Sequence, residues 1–239
     1  MKKIFQIVLL FIGLSGCASF EFEDLATPES ETARILSLGL SHAENLSEAE
    51  KLSGSHMIAV VSGKLIQAED QKNKTVISAV NIAKYSDNVK VKEGDSEFKF
   101  EGFEISEIIS MGILNEPVYL DYYLKGLKDK NTGLIQHVLH LSIKYTFKQR
   151  RNYSSASFCD KWQGCENADK VDIRLISSSA AGCTPSSCQY TEIMELNLSD
   201  AFLRSNKEEN FSISFNSPKA SNEITISSDY LNGYLQVVN

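Results

Sequence analysis

Leu134-Ile135-Gln136-His137-Val138-Leu139-His140-Leu141-Ser142-Ile143-Lys144-Tyr145-Thr146-Phe147-Lys148 is the stretch on which the fold turns. Ile135, His137, Leu139, Leu141, Ile143, Tyr145 and Phe147 recur at every second position, with Gln136, His140, Ser142, Lys144, Thr146 and Lys148 between them. A period of two puts the first set on one face of a strand and the second on the other. That is the pattern of an antiparallel strand with one wet face. Upstream, Val118, Leu120, Tyr122 and Leu124 alternate in the same way. Asp129-Lys130-Asn131-Thr132-Gly133 joins the two runs with turn residues, so 117–148 is expected to form a hairpin.

Outward from the hairpin, further strands are expected at 57–67, 75–86, 96–106, 170–177, 189–198, 210–216 and 222–227. Ser199-Asp200-Ala201-Phe202-Leu203 reads as a capped helical turn between two of them. After Ser228-Asp229, Tyr230, Leu231, Tyr234, Leu235 and Val238 recur at helical spacing and predict a short terminal helix. At the other end, Thr27-Pro28-Glu29 combines a hydroxyl cap, proline at the first helical position and an acid in the first turn. Leu36, Leu40, Ala43, Leu46, Ala49 and Leu52 follow at helical spacing, and Gly54 is a terminator, so one or two helices are expected within 28–53. Many strands without regular intervening helices make the chain mainly β. The expected architecture is an antiparallel β-sandwich with an N-terminal helical segment and a short C-terminal helix. The immunoglobulin signature is missing, since Trp162 falls between Cys159 and Cys165 rather than between widely separated cysteines. One β-sandwich domain over 55–239 is expected, with a break near Gly112–Glu116 as the alternative.

The first sixteen residues carry an address. Lys2 and Lys3 precede an apolar run from Ile4 to Ile12, broken only by Gln6, and Gly13, Ser15 and Gly16 follow. This is the layout of a secretory signal peptide. The run is much shorter than the roughly 20 apolar residues that span a bilayer. Leu14-Ser15-Gly16-Cys17 resembles the lipobox of bacterial lipoproteins. The resemblance implies removal of 1–16 and a lipid-modified Cys17, carrying a diacylglycerol thioether and a palmitate-like N-acyl chain, as the new N-terminus. In that class an aspartate after the cysteine favours inner-membrane retention. Here Ala18 and Ser19 stand instead, which is similar to the outer-membrane pattern with the body facing the periplasm. Residues 17–54 would then be a tether and helical segment. Each buried methylene contributes about 0.8 kcal/mol, so several long acyl chains make a lasting anchor.

With Cys17 set aside for lipid, Cys159, Cys165, Cys183 and Cys188 remain, an even number in an exported chain. The favoured pairing is local, Cys159 with Cys165 and Cys183 with Cys188; the crossed pairing, Cys159 with Cys188 and Cys165 with Cys183, stays open. The spacings, C-x5-C and C-x4-C, lack the tight pair typical of zinc sites, and no metal is expected.

The formal charge of −7 and pI near 5.2 argue against a nucleic-acid partner. The nucleophile elbow, dinucleotide fingerprint, P-loop and zincin motifs are absent from the sequence, and no cofactor is expected. Ser96-Glu97-Phe98-Lys99 matches S-x-x-K only in letters, because it alternates as a strand. His137 and His140, three apart on a strand, face opposite ways and form no joint metal site. One surface feature stands out. Lys144, Lys148, Arg150 and Arg151 cluster at the end of the strand that opened this section. They suit an anionic partner, against the alternative of a solvated strand edge. Together these features point to a lipid-anchored, non-catalytic binding or assembly module of the cell envelope. Its partners would be the membrane and an envelope protein or anionic envelope component. The alternatives are a periplasmic hydrolase with an unrecognised site and a carrier of an apolar ligand.

Overall fold

A computed structural model describes residues 26–109, 117–159, 165 and 170–239. Cys17, Trp162 and the Gly112–Glu116 stretch lie outside the described residues. The described residues divide into two compact units, one ending at Asn73 and one running from Lys74 onward.

In the first unit, α1 (Pro28–Ser37) starts as the sequence predicts, with Thr27 capping and Pro28 in the first turn. Helix α2 (His42–Glu50) has a capping box between Ser41 and Glu44, in which each residue satisfies an amide of the other. Ile35, Ala49, Val61 and Leu65 form the buried centre, with Leu46, Leu52 and Met57 packed around it. Val61 and Leu65 belong to α3 (Ser55–Asp87), a 33-residue helix. The strands expected at 57–67 and 75–86 are therefore corrected: both segments are helical. Their Val and Ile content favours strands only weakly, because β-propensity gives way to packing context. Val61 and Leu65 lie four apart, one helical turn, and form the buried face of the helix.

The second unit holds the end of α3 and the eleven strands found among the described residues. β1 (Lys90–Glu93), β2 (Glu97–Glu101), β3 (Ile105–Ile109), β4 (Val118–Asp129) and β5 (Ile135–Phe147) build most of a seven-stranded sheet. The chain then crosses to a second sheet through β6 (Ser155–Cys159) and β7 (Lys170–Asp172). It returns through β8 (Arg174–Ala181) and β9 (Cys188–Leu198). After a short helix, α4 (Asp200–Ser205), β10 (Phe211–Asn216) and β11 (Ser221–Ile226) complete the second sheet. The large sheet has the order β1-β2-β4-β5-β9-β8, with β3 also paired to β4; the smaller has β11-β10-β6-β7. All pairings are antiparallel. The sequence run 170–177 thus holds two strands that belong to different sheets.

One core joins both sheets. Leu120, Leu139, Leu141 and Ile143 from the large sheet meet Ile213, Phe215, Ile224 and Ile226 from the small one. Burying a side chain of this kind contributes about 2 kcal/mol, so this alternation is the main source of stability. The terminal helix α5 (Ser228–Val238) shares the interior, burying Tyr230, Leu231, Tyr234 and Leu235. Its closeness rests on three glycines, and a Cβ at the first, Gly102, would lie 2.8 Å from the Tyr230 hydroxyl. A Cβ at Gly126 would lie 2.6 Å from the Tyr234 hydroxyl, and one at Gly233 would lie 2.6 Å from Tyr85 Cβ on α3. Between β2 and β3 the ladder along β4 is interrupted. The Gly102 amide donates to the Leu124 carbonyl at 2.8 Å, and the Leu124 amide donates to the Tyr230 hydroxyl at 2.9 Å. Helix α5 thus satisfies a backbone donor that neither strand reaches.

Candidate functional site

The inner face of the large sheet is filled by the core, which leaves chemistry to its outer face. Register sets that face out in rows. Tyr123 of β4 lies opposite His140 of β5, His140 opposite Glu195 of β9, and Glu195 opposite Arg174 of β8. In the next row Lys125 lies opposite Val138, and Val138 opposite Asn197.

Glu195 is the hub. It is 9% exposed, and its carboxylate accepts from Lys125 Nζ at 2.9 Å and from Arg174 Nη2. His140 Nδ1 lies 3.3 Å from Glu195 and 3.0 Å from Lys125 Nζ, so the ammonium bridges both. The His140 ring is stacked against Tyr123, with centroids 4.9 Å apart. Burial pushes the Glu195 carboxyl up, but the hydrogen bonds from Lys125, Arg174 and His140 outweigh it and hold the group at about 2. Burial, then the Lys125 charge, lowers His140 below the usual imidazole value. Near neutral pH the cluster is therefore one carboxylate, two cations and a neutral imidazole whose Nδ1 lies between Lys125 and Glu195.

Beside this cluster the outer face forms a groove of about 780 Å³. Its lining reaches from Lys90 and Lys92 on β1 to Arg174 on β8. Flat, these two edge strands would stand about 24 Å apart. One groove touches both, so it runs across the whole width of the sheet. Cations outnumber carboxylates along it, with Lys90, Lys92, Lys99, Lys125 and Arg174 against Glu101 and Glu195.

The four cations singled out from sequence lie at the other end of β5. Lys144 and Lys148 are exposed. The Arg151 guanidinium covers the Tyr145 ring at 4.2 Å and donates to Tyr153 Oη at 3.0 Å and Asn222 Oδ1 at 3.1 Å. Arg150 is half-buried, its guanidinium 5.8 Å from the centre of the Tyr190 ring. Two of the four thus face solvent, while the two arginines pack where the chain crosses between sheets. The crossing is built on Glu192, which is fully buried and accepts from Tyr145 Oη, from the Asn152 amide at 3.2 Å and from the Tyr153 amide at 3.3 Å.

His137 and His140 do face opposite ways. His137 is buried on the inner face, with Nδ1 3.0 Å from Tyr234 Oη and Nε2 3.1 Å from Asp200 Oδ1. Burial lowers its pKa, and Asp200 opposes this without reversing it. The disulfides are Cys159–Cys165 and Cys183–Cys188, the local pairing. Glu223 lies close enough to Cys159 and Cys165 to share an ion with them, but both sulfurs are committed to their disulfide. Ser96-Glu97-Phe98-Lys99 lies largely on β2, and Lys99 is paired with Glu97 at 3.0 Å.

Sequence reasoning missed Lys92, Lys99, Arg174 and Glu195. The alternation of β9 does place Glu195 on the face away from the apolar Met194 and Leu196, but nothing local announces that two cations and an imidazole from other strands surround it. Among the described residues, no helix is long and apolar enough to cross a membrane. Compared with models of known families and with curated proteins, the chain matches none.

Proposed function

We propose that the protein is a lipid-anchored, non-catalytic binding module of the cell envelope that presents the outer face of its large sheet to an anionic partner. The observation that carries this reading is the cation-rich groove around Glu195 in a chain of formal charge −7. A cationic surface on an acidic body is a local feature that diffuse surface charge does not produce, and it steers anions to one place. The inner face of the same sheet is sealed by core, so the rigid sandwich holds the cations in fixed positions.

The anchor rests on the sequence Leu14-Ser15-Gly16-Cys17, with Ala18 following. Acylation of Cys17 confines the body near one leaflet of the outer membrane, on its periplasmic side. A weak interface then suffices, because the anchor replaces a three-dimensional search by a high effective concentration. The test is flotation of envelopes in a density gradient. The wild-type chain is expected with the outer membrane, and Cys17→Ala is expected as soluble periplasmic protein. Membrane association that survives Cys17→Ala refutes the anchor.

A further inference from the structure

Within the groove, Lys92 of β1 lies directly opposite Lys99 of β2, and both line its wall. Like charges facing each other across an antiparallel pair destabilise it. Lys99 is paired with Glu97 and Lys90 with Glu101, each at 3.0 Å, but Lys92 has no ion-pair partner among the described residues. At the other wall, one carboxylate, Glu195, serves both Lys125 and Arg174, and the Arg174 side chain remains 72% exposed. Both walls thus keep positive charge that the protein leaves unneutralised. Between them the floor offers apolar Leu127 and Val138 and the amides of Gln136 and Asn197.

The geometry points to a binding site for a phosphorylated ligand, with a phosphate monoester between Lys92 and Lys99, a polyol or sugar scaffold on the floor, and a second anionic group at Arg174. Two lysines side by side in register, one of them without an ion-pair partner among the described residues and the other held by Glu97, favour a multiply charged anion over a singly charged one. A phosphate monoester carries about −1.5 to −2 at pH 7 and three acceptor oxygens, whereas a carboxylate carries a single charge. Lysines hold phosphate as point charges, and the guanidinium fork of Arg174 can take a second group by two parallel bonds. The amides suit hydroxyls, and the groove volume falls within the roughly 300–1,000 Å³ of small-ligand sites. The repulsion between Lys92 and Lys99 is then a local cost to stability that ligand binding relieves.

This site rests on the reading of the outer face as the binding surface, not on the anchor. The test therefore uses the full chain with Cys17→Ala, which has no acyl group of its own to insert. One arm titrates it with glucose 1,6-bisphosphate in a calorimeter. The other mixes it with phosphatidylcholine vesicles containing phosphatidic acid, a lipid phosphomonoester. Binding in the first arm alone identifies a soluble sugar phosphate as the source, and binding in the second alone identifies a lipid headgroup; either supports the site. Lys92→Glu is expected to weaken that binding about tenfold. The same change is expected to raise the melting midpoint by about 2 °C, because it replaces a repulsive cross-strand pair with an attractive one. Lys92→Gln should fall between on both scales. No binding of either phosphate probe, unchanged binding by Lys92→Glu, or tighter binding of an oligoglutamate peptide overturns the proposal. So does a loss of binding that accompanies a loss of stability in both variants. None of these outcomes touches the flotation result, so the anchor and the groove fail separately.

Discussion

Glu192 and Glu195 stand three residues apart on β9, both are buried, and they hold opposite faces of the same sheet. Glu192 faces inward and binds one hydroxyl and two backbone amides, all at the crossing from β5 to β6. Glu195 faces outward and binds side-chain cations from β4 and β8. The inward carboxylate fixes the path of the chain. The outward one arranges charges at a surface. An odd spacing on a strand is enough to separate the two roles, because parity alone decides which neighbours a side chain meets.

The most forceful way to break the comparison is Glu192→Ala. It strands the Tyr145 hydroxyl and the Asn152 and Tyr153 amides without their acceptor. Leaving such groups buried and unpaired is expected to cost about 3 kcal/mol, read as a lowered denaturation midpoint in urea. A loss under about 1 kcal/mol would mean that the crossing is held by packing alone.

Glu195→Gln keeps the shape and removes the charge, and is expected to cost about 1 kcal/mol at pH 7. Its sharper signature lies in acid. The folded-state value of Glu195 is about 2, below the ordinary 4.5. Its contribution is therefore complete above about pH 4.5 and is lost as pH falls toward 2. Stability of Glu195→Gln should consequently fall less steeply than that of the wild type across this window. Parallel acid profiles for the two proteins would contradict the cation cluster.

His137 gives the smallest effect and the opposite end of the pH scale. Burial lowers its pKa from 6.5, so the folded state resists the proton that the unfolded chain accepts. Stability is full above about pH 6.5 and declines as pH falls below it. His140, on the outer face, is lowered as well and adds in the same direction. Replacing the inner residue, His137→Gln, should flatten part of the decline just below pH 6.5 and leave the Glu195 window unchanged. If the lower window moved instead, the two faces would be coupled rather than separate.

Much of the fold was legible from period and punctuation. The alternation through 134–148 placed His137 and His140 on their correct faces, and the signals at Ser199 and Thr27 mark real helix caps, while the terminal helix expected after Ser228-Asp229 is capped one residue earlier, by Ser227. Helix α3 was misread because β-branched residues crowd its sequence while its buried positions are few, which weakens the helical stripe on which a sequence reading depends. The candidate site was hardly legible at all. The visible cluster, Lys144 to Arg151, is contiguous in sequence, and two of its members turn inward at the crossing. The groove draws Lys92, Lys99, Lys125, Arg174 and Glu195 from five strands, and only pairing brings them together.

What the sequence determined by itself is local. It set the mainly β, antiparallel character and most of the caps, because each depends on residues within a strand or a turn; it favoured the local cysteine pairing but left the crossed one open. The tertiary structure decided which strand lies beside which, that β7 and β8 part into different sheets, and that a carboxylate on β9 collects cations from β4 and β8. Strand order is set by contacts between residues far apart in the chain. Their energy is gained only once the closure of long loops has been offset, and a local pattern carries no record of that balance.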